Sequence, residues 1–390
     1  MDRKLGSMNR KLGIIDRGII RKAKAGTRHA TFTYPNIYSI SNGSLLATTR
    51  CGPSKDTEDE TCEIYKSVDN GRTWFQIPFP APNDVNGVYG VARSLHLTEL
   101  ENGHIIGMVM WLDRQTYPGG QIYNTEMSAG ACMPMKVMLS DSYDYGMTWS
   151  EWRVIDLPDE VGPPSITCKL QKAKDGTLVL FIETNKTYMD NSKWHLKIAA
   201  FHSKDRGKTW GKVVYAPFDP TGRISHWDHR VSVAPDGRFV GFAWMHDNET
   251  GGFINVHRHI SNDNGYTWSE MVDAGFTDQP SVPAILHDGR TVVAWVDRYK
   301  TMSIRARFSN EIGSVFDPET EVIIYEHKKP AEDRRNGCGK SSKLLNSIPD
   351  WCYGQPCAEV LPDGNVMVVY YAGTIEEMDL CWVKLSVPEK

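Results

Sequence analysis

The phrase Ser-x-Asp-x-Gly-x-Thr-Trp occurs four times in this chain, at Ser67–Trp74, Ser142–Trp149, Ser203–Trp210 and Ser261–Trp268. Four copies of an eight-residue pattern fixed at five positions make the chain a repeat protein, and no other feature constrains its fold as tightly. A degenerate fifth copy is expected at Ser309–Phe316, where Glu311, Gly313 and an aromatic survive. An Asp followed two residues later by Gly suits a tight hairpin. The carboxylate accepts backbone N–H groups, the Gly takes positive φ, and Thr-Trp opens the next strand with the indole as an anchor. Asp69, Asp144, Asp205 and Asp263 are therefore expected to hold their own turns, not a substrate.

A second signal runs in step with the first. Asn42-Gly43, Asn102-Gly103, Asp175-Gly176, Asp236-Gly237, Asp288-Gly289 and Asp363-Gly364 are six Asx-Gly turns, each followed by a short apolar strand such as Leu178–Glu183 or Val366–Tyr371. Six units in 390 residues fit four-stranded blades with some long loops, so the expected fold is all-β, a six-bladed β-propeller forming a single domain over 1–390. Inner and second strands are expected at 33–50, 91–111, 164–183, 229–244, 280–297 and 355–371. The last unit is one strand short. The segment Leu12–Ala23 is expected to supply it and close the ring, with 1–11 a flexible lead-in.

A net charge of −4 argues against a nucleic-acid or anionic-membrane surface as partner, and no stretch approaches the ~18 apolar residues of a membrane span. Eight cysteines show no paired CxxC spacing and are read as mostly reduced. No apolar signal core follows the basic N-terminus, which points to the cytoplasm. Two long loops, 113–133 and 327–350, are expected to rim the site.

The Asp-containing turns resemble the Asp-box repeats of the sialidase (neuraminidase) family. That resemblance implies a propeller whose Asp boxes and Asx-Gly turns share one face, with substrate bound on the other. On that face stand Tyr34, Arg50, Asp56, Arg93, Asp113, Glu183, Asp228, His229, Arg230, His246, Gln279, Arg298, Tyr353 and Gln355. The family grips its substrate carboxylate with three arginines. Here the first is replaced by Thr33-Tyr34-Pro35, Arg230 could match the second, and none stands near Gln279-Pro280 for the third. Asp56 fits the place of the acid/base aspartate. Tyr353 is the nearest match to the nucleophilic tyrosine, although alignment on Asp363-Gly364 puts Gln355 in that slot.

The resemblance and the residues together imply an exo-glycoside hydrolase with a carbohydrate substrate, an acidic or sialic-acid-related sugar, and no cofactor. Asp56, Tyr353, Glu183, Asp228 and His229 are the catalytic candidates. Arg50, Arg93, Arg230, Tyr34, Asp113, His246, Gln279, Arg298 and Gln355 are the substrate-binding ones. Three alternatives stay open. The His/Tyr/Arg set suits β-elimination from a uronic acid. Trp111, Trp244, Trp295, Trp351 and Tyr371 could line a non-catalytic carbohydrate-binding face. His226 or His229 with His246 and a carboxylate could ligate a metal.

Overall fold

A computed structural model describes residues 11–328 and 348–389. Residues 1–10 of the expected lead-in, and 329–347 of the second long loop, lie outside the described residues. What is described is β-strand with three short 3-10 turns and no α-helix. None of it is long and apolar enough to cross a membrane as a helix.

The Asx-Gly pairs form the hairpins their chemistry predicts. In five of the six, the Asx side chain accepts the N–H two residues on, at 2.9–3.0 Å. At Asn102-Gly103 the Gly103 N–H goes to Glu99 instead, at 3.2 Å. The strands that follow are buried on both faces, which is why they read as unbroken apolar runs: Leu45–Gly52, His104–Asp113, Phe239–Asp247 and Thr291–Asp297 are buried at every residue.

Small antiparallel sheets make a propeller-like arrangement. One has the strands Ile224–Val233, Phe239–Asp247, Gly252–Ser261 and Val272–Thr277, and its neighbours repeat that order. The largest sheet has eight strands and consists of two four-stranded units joined by one parallel bridge, Thr31 to Met378. Divided at that bridge it supplies two blades, and the four other antiparallel sheets supply one each; a count of six rests on that division. The strand Gly13–Arg21 pairs antiparallel with Met378–Ser386, alongside Val366–Gly373 and Tyr353–Val360. The N-terminal segment thus completes the last unit, as expected.

The Asp boxes repeat atom for atom. Asp69 Oδ1 accepts the Thr73 N–H at 2.9 Å and Oδ2 accepts the Thr73 hydroxyl at 2.6 Å, while Ser67 Oγ accepts the Gly71 N–H at 2.9 Å. The same bonds recur at Asp144, Asp205 and Asp263. The Thr73 hydroxyl, followed by its backbone N–H, holds the Asp69 carboxyl at about 2. At the degenerate copy the acid works differently: Glu311 offers its carbonyl to Ser309 and Ser314 Oγ, at 3.2 and 3.0 Å. Each box also seats its glycine on the preceding unit. A Cβ on Gly71, Gly146, Gly207 or Gly265 would stand 2.4–3.3 Å from Met367, Leu46, Leu139 or Phe181.

Candidate functional site

Inner strands bulge where they reach the open end of the propeller. Between Thr33 and Asn36, Trp227 and Arg230, and Gly354 and Cys357, one extra residue is inserted against the neighbouring strand. The residue at the bend has positive φ in each case: Tyr34 (52°), Asp228 (47°) and Gln355 (44°). A further bulge falls at Arg93, between Ala92 and Ser94. A bulge re-aims a side chain, and Tyr34, Arg93, Asp228 and Gln355 all line one cavity of about 110 Å³.

Three carboxylates face that cavity. Glu183, at the end of Leu178–Glu183, accepts the backbone N–H of Asp228. Burial, then the neighbouring Asp228 charge, pushes its carboxyl up to about 8. Asp228 accepts at both oxygens, from Arg230 at 2.9 Å and Gln279 at 2.5 Å, the pattern of an ionised carboxylate. Across the cavity burial raises Asp56, but the Arg93 and Arg50 guanidiniums outweigh it and leave it below the usual range.

The arginines are spoken for. Arg93 donates to both Glu60 oxygens (2.9 and 3.1 Å) and to Asp56 (2.6 Å). Arg50 does not line the cavity; it lies under Tyr34 at 4.2 Å, bonded to Thr33 Oγ1 and the Lys55 carbonyl, with Glu60 at 3.4 Å. Arg230 bonds Asp228 and the Thr167 carbonyl. Arg298 is buried behind Gln279, bonded to it and to Asp278 at 2.9 Å each.

The opposite wall is aromatic. Trp194, Trp227, Trp244, Trp351 and Tyr123 line it, with neighbouring indole centroids 5.5–6.1 Å apart. Tyr123 comes from the first long loop and Ile348 from the end of the second, with Trp351 just after it, so both loops reach the site. Lys55 holds the segment that leads into the last unit: its Nζ bonds the Ile348 carbonyl (2.7 Å), the Trp351 carbonyl (2.9 Å) and the Tyr371 hydroxyl (3.0 Å). Burial drives its pKa well below the ordinary lysine value. Neither Lys55 nor the Trp194–Trp227 pair was among the sequence candidates, although Trp227 sits beside Asp228 in the same inner strand.

Of the fourteen candidates, Tyr34, Asp56, Arg93, Glu183, Asp228, Gln279 and Gln355 meet at the cavity. The others stand elsewhere. Tyr353 is buried between units, its ring 4.9 Å from His327 and 5.7 Å from Tyr325. The bulge at Gln355 breaks the alternation that would have aimed it inward. His229 is 0 % exposed, and its Nε2 lies 2.6 Å from His259 Nε2 beneath Trp268. His246 stacks behind Trp227 at 5.7 Å. Asp113 caps its own loop, accepting from Gln115 and Thr116. His226 bonds Pro217, so the three histidines do not converge on a metal. Among the possible platforms, Trp111, Trp295 and Tyr371 do not line the cavity, and Trp244 and Trp351 do.

The fold has counterparts among solved structures. The chain aligns with a protein of unknown function from Dyadobacter fermentans at a TM-score of 0.71, with 18% identity over 96% of this chain and 99% of that one. The fold is sialidase-like. The intramolecular trans-sialidase of Ruminococcus gnavus aligns at 0.62, with 14% identity over 99% of this chain and 100% of its own. The α-L-arabinanase of Penicillium chrysogenum aligns at 0.61, with 18% identity over 96% and 98%. No protein-family model matches the sequence, and no curated protein matches it. At these identities the sialidase-like likeness establishes the fold alone.

Proposed function

We propose that this sialidase-like propeller is a glycoside hydrolase that removes a neutral sugar, with Glu183 as the proton donor and Asp228 as the base or nucleophile. One observation carries this reading: two adjoining carboxyl groups face one cavity, and their surroundings fit them for opposite roles. Glu183 is held protonated by burial and by Asp228, while Asp228 is bonded as an ionised group by Arg230 and Gln279. A carboxyl group that keeps its proton beside a carboxylate that only accepts hydrogen bonds is the kind of pair glycoside cleavage requires. The aromatic wall would take the apolar face of the ring.

The acidic sugar expected from the sequence loses support at the arginines. Arg93 is the only one of Arg50, Arg93, Arg230 and Arg298 that lines the cavity, and it is bound to Glu60 and Asp56. Diverting it to a substrate carboxylate would break its two bonds to buried Glu60 and its bond to Asp56, leaving Glu60 only the more distant Arg50 and Arg114 at 3.4 and 3.7 Å. β-Elimination loses the bases expected for it, since His226, His229, His246 and Tyr353 do not line the cavity.

The test is a panel of aryl glycosides of neutral pentoses, hexoses and 6-deoxyhexoses, with a sialoside alongside. A neutral substrate should release a saturated reducing sugar, and Glu183→Gln and Asp228→Asn should each cut turnover by about 10²-fold or more. Faster release from the sialoside would restore the acidic-sugar reading, and full turnover by folded Glu183→Gln would end the proposed mechanism.

A further inference from the structure

A second group of side chains lies outside the cavity, in the connection that carries the chain from its closing strand into the first full unit. His29 Nε2 is 2.8 Å from Glu63 Oε1, and Cys51 Sγ joins them, with one ligand atom from each residue inside a 4.8 Å span. Among the described residues this is the only such convergence of three His, Cys, Asp or Glu side chains. Cys51 and Glu63 come from paired strands. Cys51 is opposite Thr61 and Glu63 opposite Thr49, so both project from the same face as diagonal neighbours.

We propose that His29, Cys51 and Glu63 bind one divalent transition-metal ion, zinc by the character of the ligands. Thiolate, imidazole and carboxylate are the three groups that bind zinc, and three protein ligands leave a fourth position for water. The imidazole is 28 % exposed, so that position has access to solvent. Two of the ligands are already fixed in orientation. The Phe32 ring stacks on His29 at 5.8 Å and 15°, and the Tyr65 hydroxyl bonds Glu63 Oε2 at 2.6 Å, leaving Oε1 turned toward His29. Ligand atoms around tetrahedral zinc stand about 3.3–3.8 Å apart, a contraction that side-chain adjustment can supply. The Cys51 thiol lies within 4.8 Å of both other ligand atoms. On binding, the S–H proton leaves to solvent and the sulfur lone pair takes the metal.

The position gives the ion a structural task. His29 stands two residues before Thr31, whose bridge to Met378 joins the two halves of the eight-stranded sheet. A metal there would fasten the connecting segment to the second and third strands of the first unit. None of the three ligands lines the cavity, so the site is independent of the hydrolase reading.

The experiment is metal binding by the whole chain after chelation and dialysis, with zinc and cobalt as probes. The wild-type chain should bind about one zinc per molecule and melt at a higher temperature when it does. Cobalt should give the intense near-ultraviolet absorption of a thiolate-bound ion. Cys51→Ser should abolish that absorption, and Cys51→Ser and His29→Gln should each weaken zinc binding about tenfold or more. Wild-type protein saturated with cobalt but lacking the thiolate absorption overturns the proposal whatever the variants do. So does equal zinc affinity in wild type and both variants.

Discussion

Glu183 carries a liability that its chemistry explains. A buried carboxyl with a raised pKa binds its proton more tightly in the folded chain than in the unfolded one. Folding therefore loses stability as pH rises from the unfolded value of about 4.3 through the folded value of about 8, and the loss is complete above it. Glu183→Gln keeps an oxygen for the Asp228 N–H and removes the ionisation. It should melt at a higher temperature than wild type at pH 8 and show little difference at pH 4.5, read by thermal unfolding across that range. A parallel fall of wild-type kcat/KM above about pH 8 is expected, because the donor must be protonated. Tyr353→Phe provides the contrasting case: its ring packs between units and does not line the cavity, so folded variant should keep turnover within about threefold of wild type. A hundredfold loss would put the hydroxyl back into the mechanism. The contrast also marks what could be read from sequence. Tyr34, Asp228 and Gln355 each stand eight residues before the Asx of their own hairpin, a register that had placed Gln355 and that also holds for the other two. Tyr353 was chosen as the tyrosine nearest the family's nucleophile position and His229 for its place at the start of an inner strand, and neither choice could foresee the bulges beside them, which leave both off the cavity. The pairing of Arg93 with Glu60 was not visible in the sequence, because only folding brings residues 33 apart into contact.

At the scale of the element, the Asp box does two jobs at once. Its carboxylate closes the turn, and the left-handed pair at its tip presses a glycine onto the preceding unit: Asn70 has φ 60° and Gly71 has φ 88°, and a Cβ on Gly71 would meet Met367 Cε at 2.4 Å. The turn chemistry was evident from four repeats of the phrase, whereas the contact with the neighbouring unit was not, since nothing in the local pattern names Met367, Leu46, Leu139 or Phe181 as partners. Asp205→Ala removes the acceptor of the Thr209 N–H and hydroxyl. It should lower the melting temperature while leaving activity per folded molecule unchanged; a stable variant without turnover would contradict this. Gly71→Ala combines positive φ with the methionine contact and should cost about 1 kcal/mol or more in chemical denaturation. The degenerate copy shows what happens without the Asp. Arg258 takes over, donating to the Gly313 and Ser314 carbonyls, and Phe316 supplies the buried aromatic at 2 % exposure.

For the whole molecule, stability depends on how the first and last units meet. A propeller keeps only short, protected strand edges, and the ring holds only while each unit has its full set of strands to pack on its neighbours. Here the junction comprises one parallel bridge, Thr31 to Met378, and the strand Gly13–Arg21, which runs from Ser386 to Leu380 along the last unit. That strand was legible because the last Asx-Gly turn leaves too few residues for a full unit and the apolar segment before the first unit has no other partner. Close packing reinforces it: a Cβ on Gly18 would meet the Trp382 ring at 2.8–3.1 Å, and Asp379 accepts from Lys22 Nζ and the Ala23 N–H at 2.9 and 2.7 Å. A chain beginning at Lys22 should therefore expose the edge of Met378–Ser386, melt at a lower temperature and self-associate, because an unpaired strand edge is a template for another chain. Adding a synthetic peptide spanning Leu12–Arg21 should restore the melting temperature in a saturable, concentration-dependent way, since the peptide binds the folded form alone. The same peptide with Gly18 replaced by Val should fail to rescue, because its side chain would be forced into Trp382. An unchanged melting temperature in the shortened chain, or equal rescue by both peptides, would show that the first strand decorates the ring without closing it.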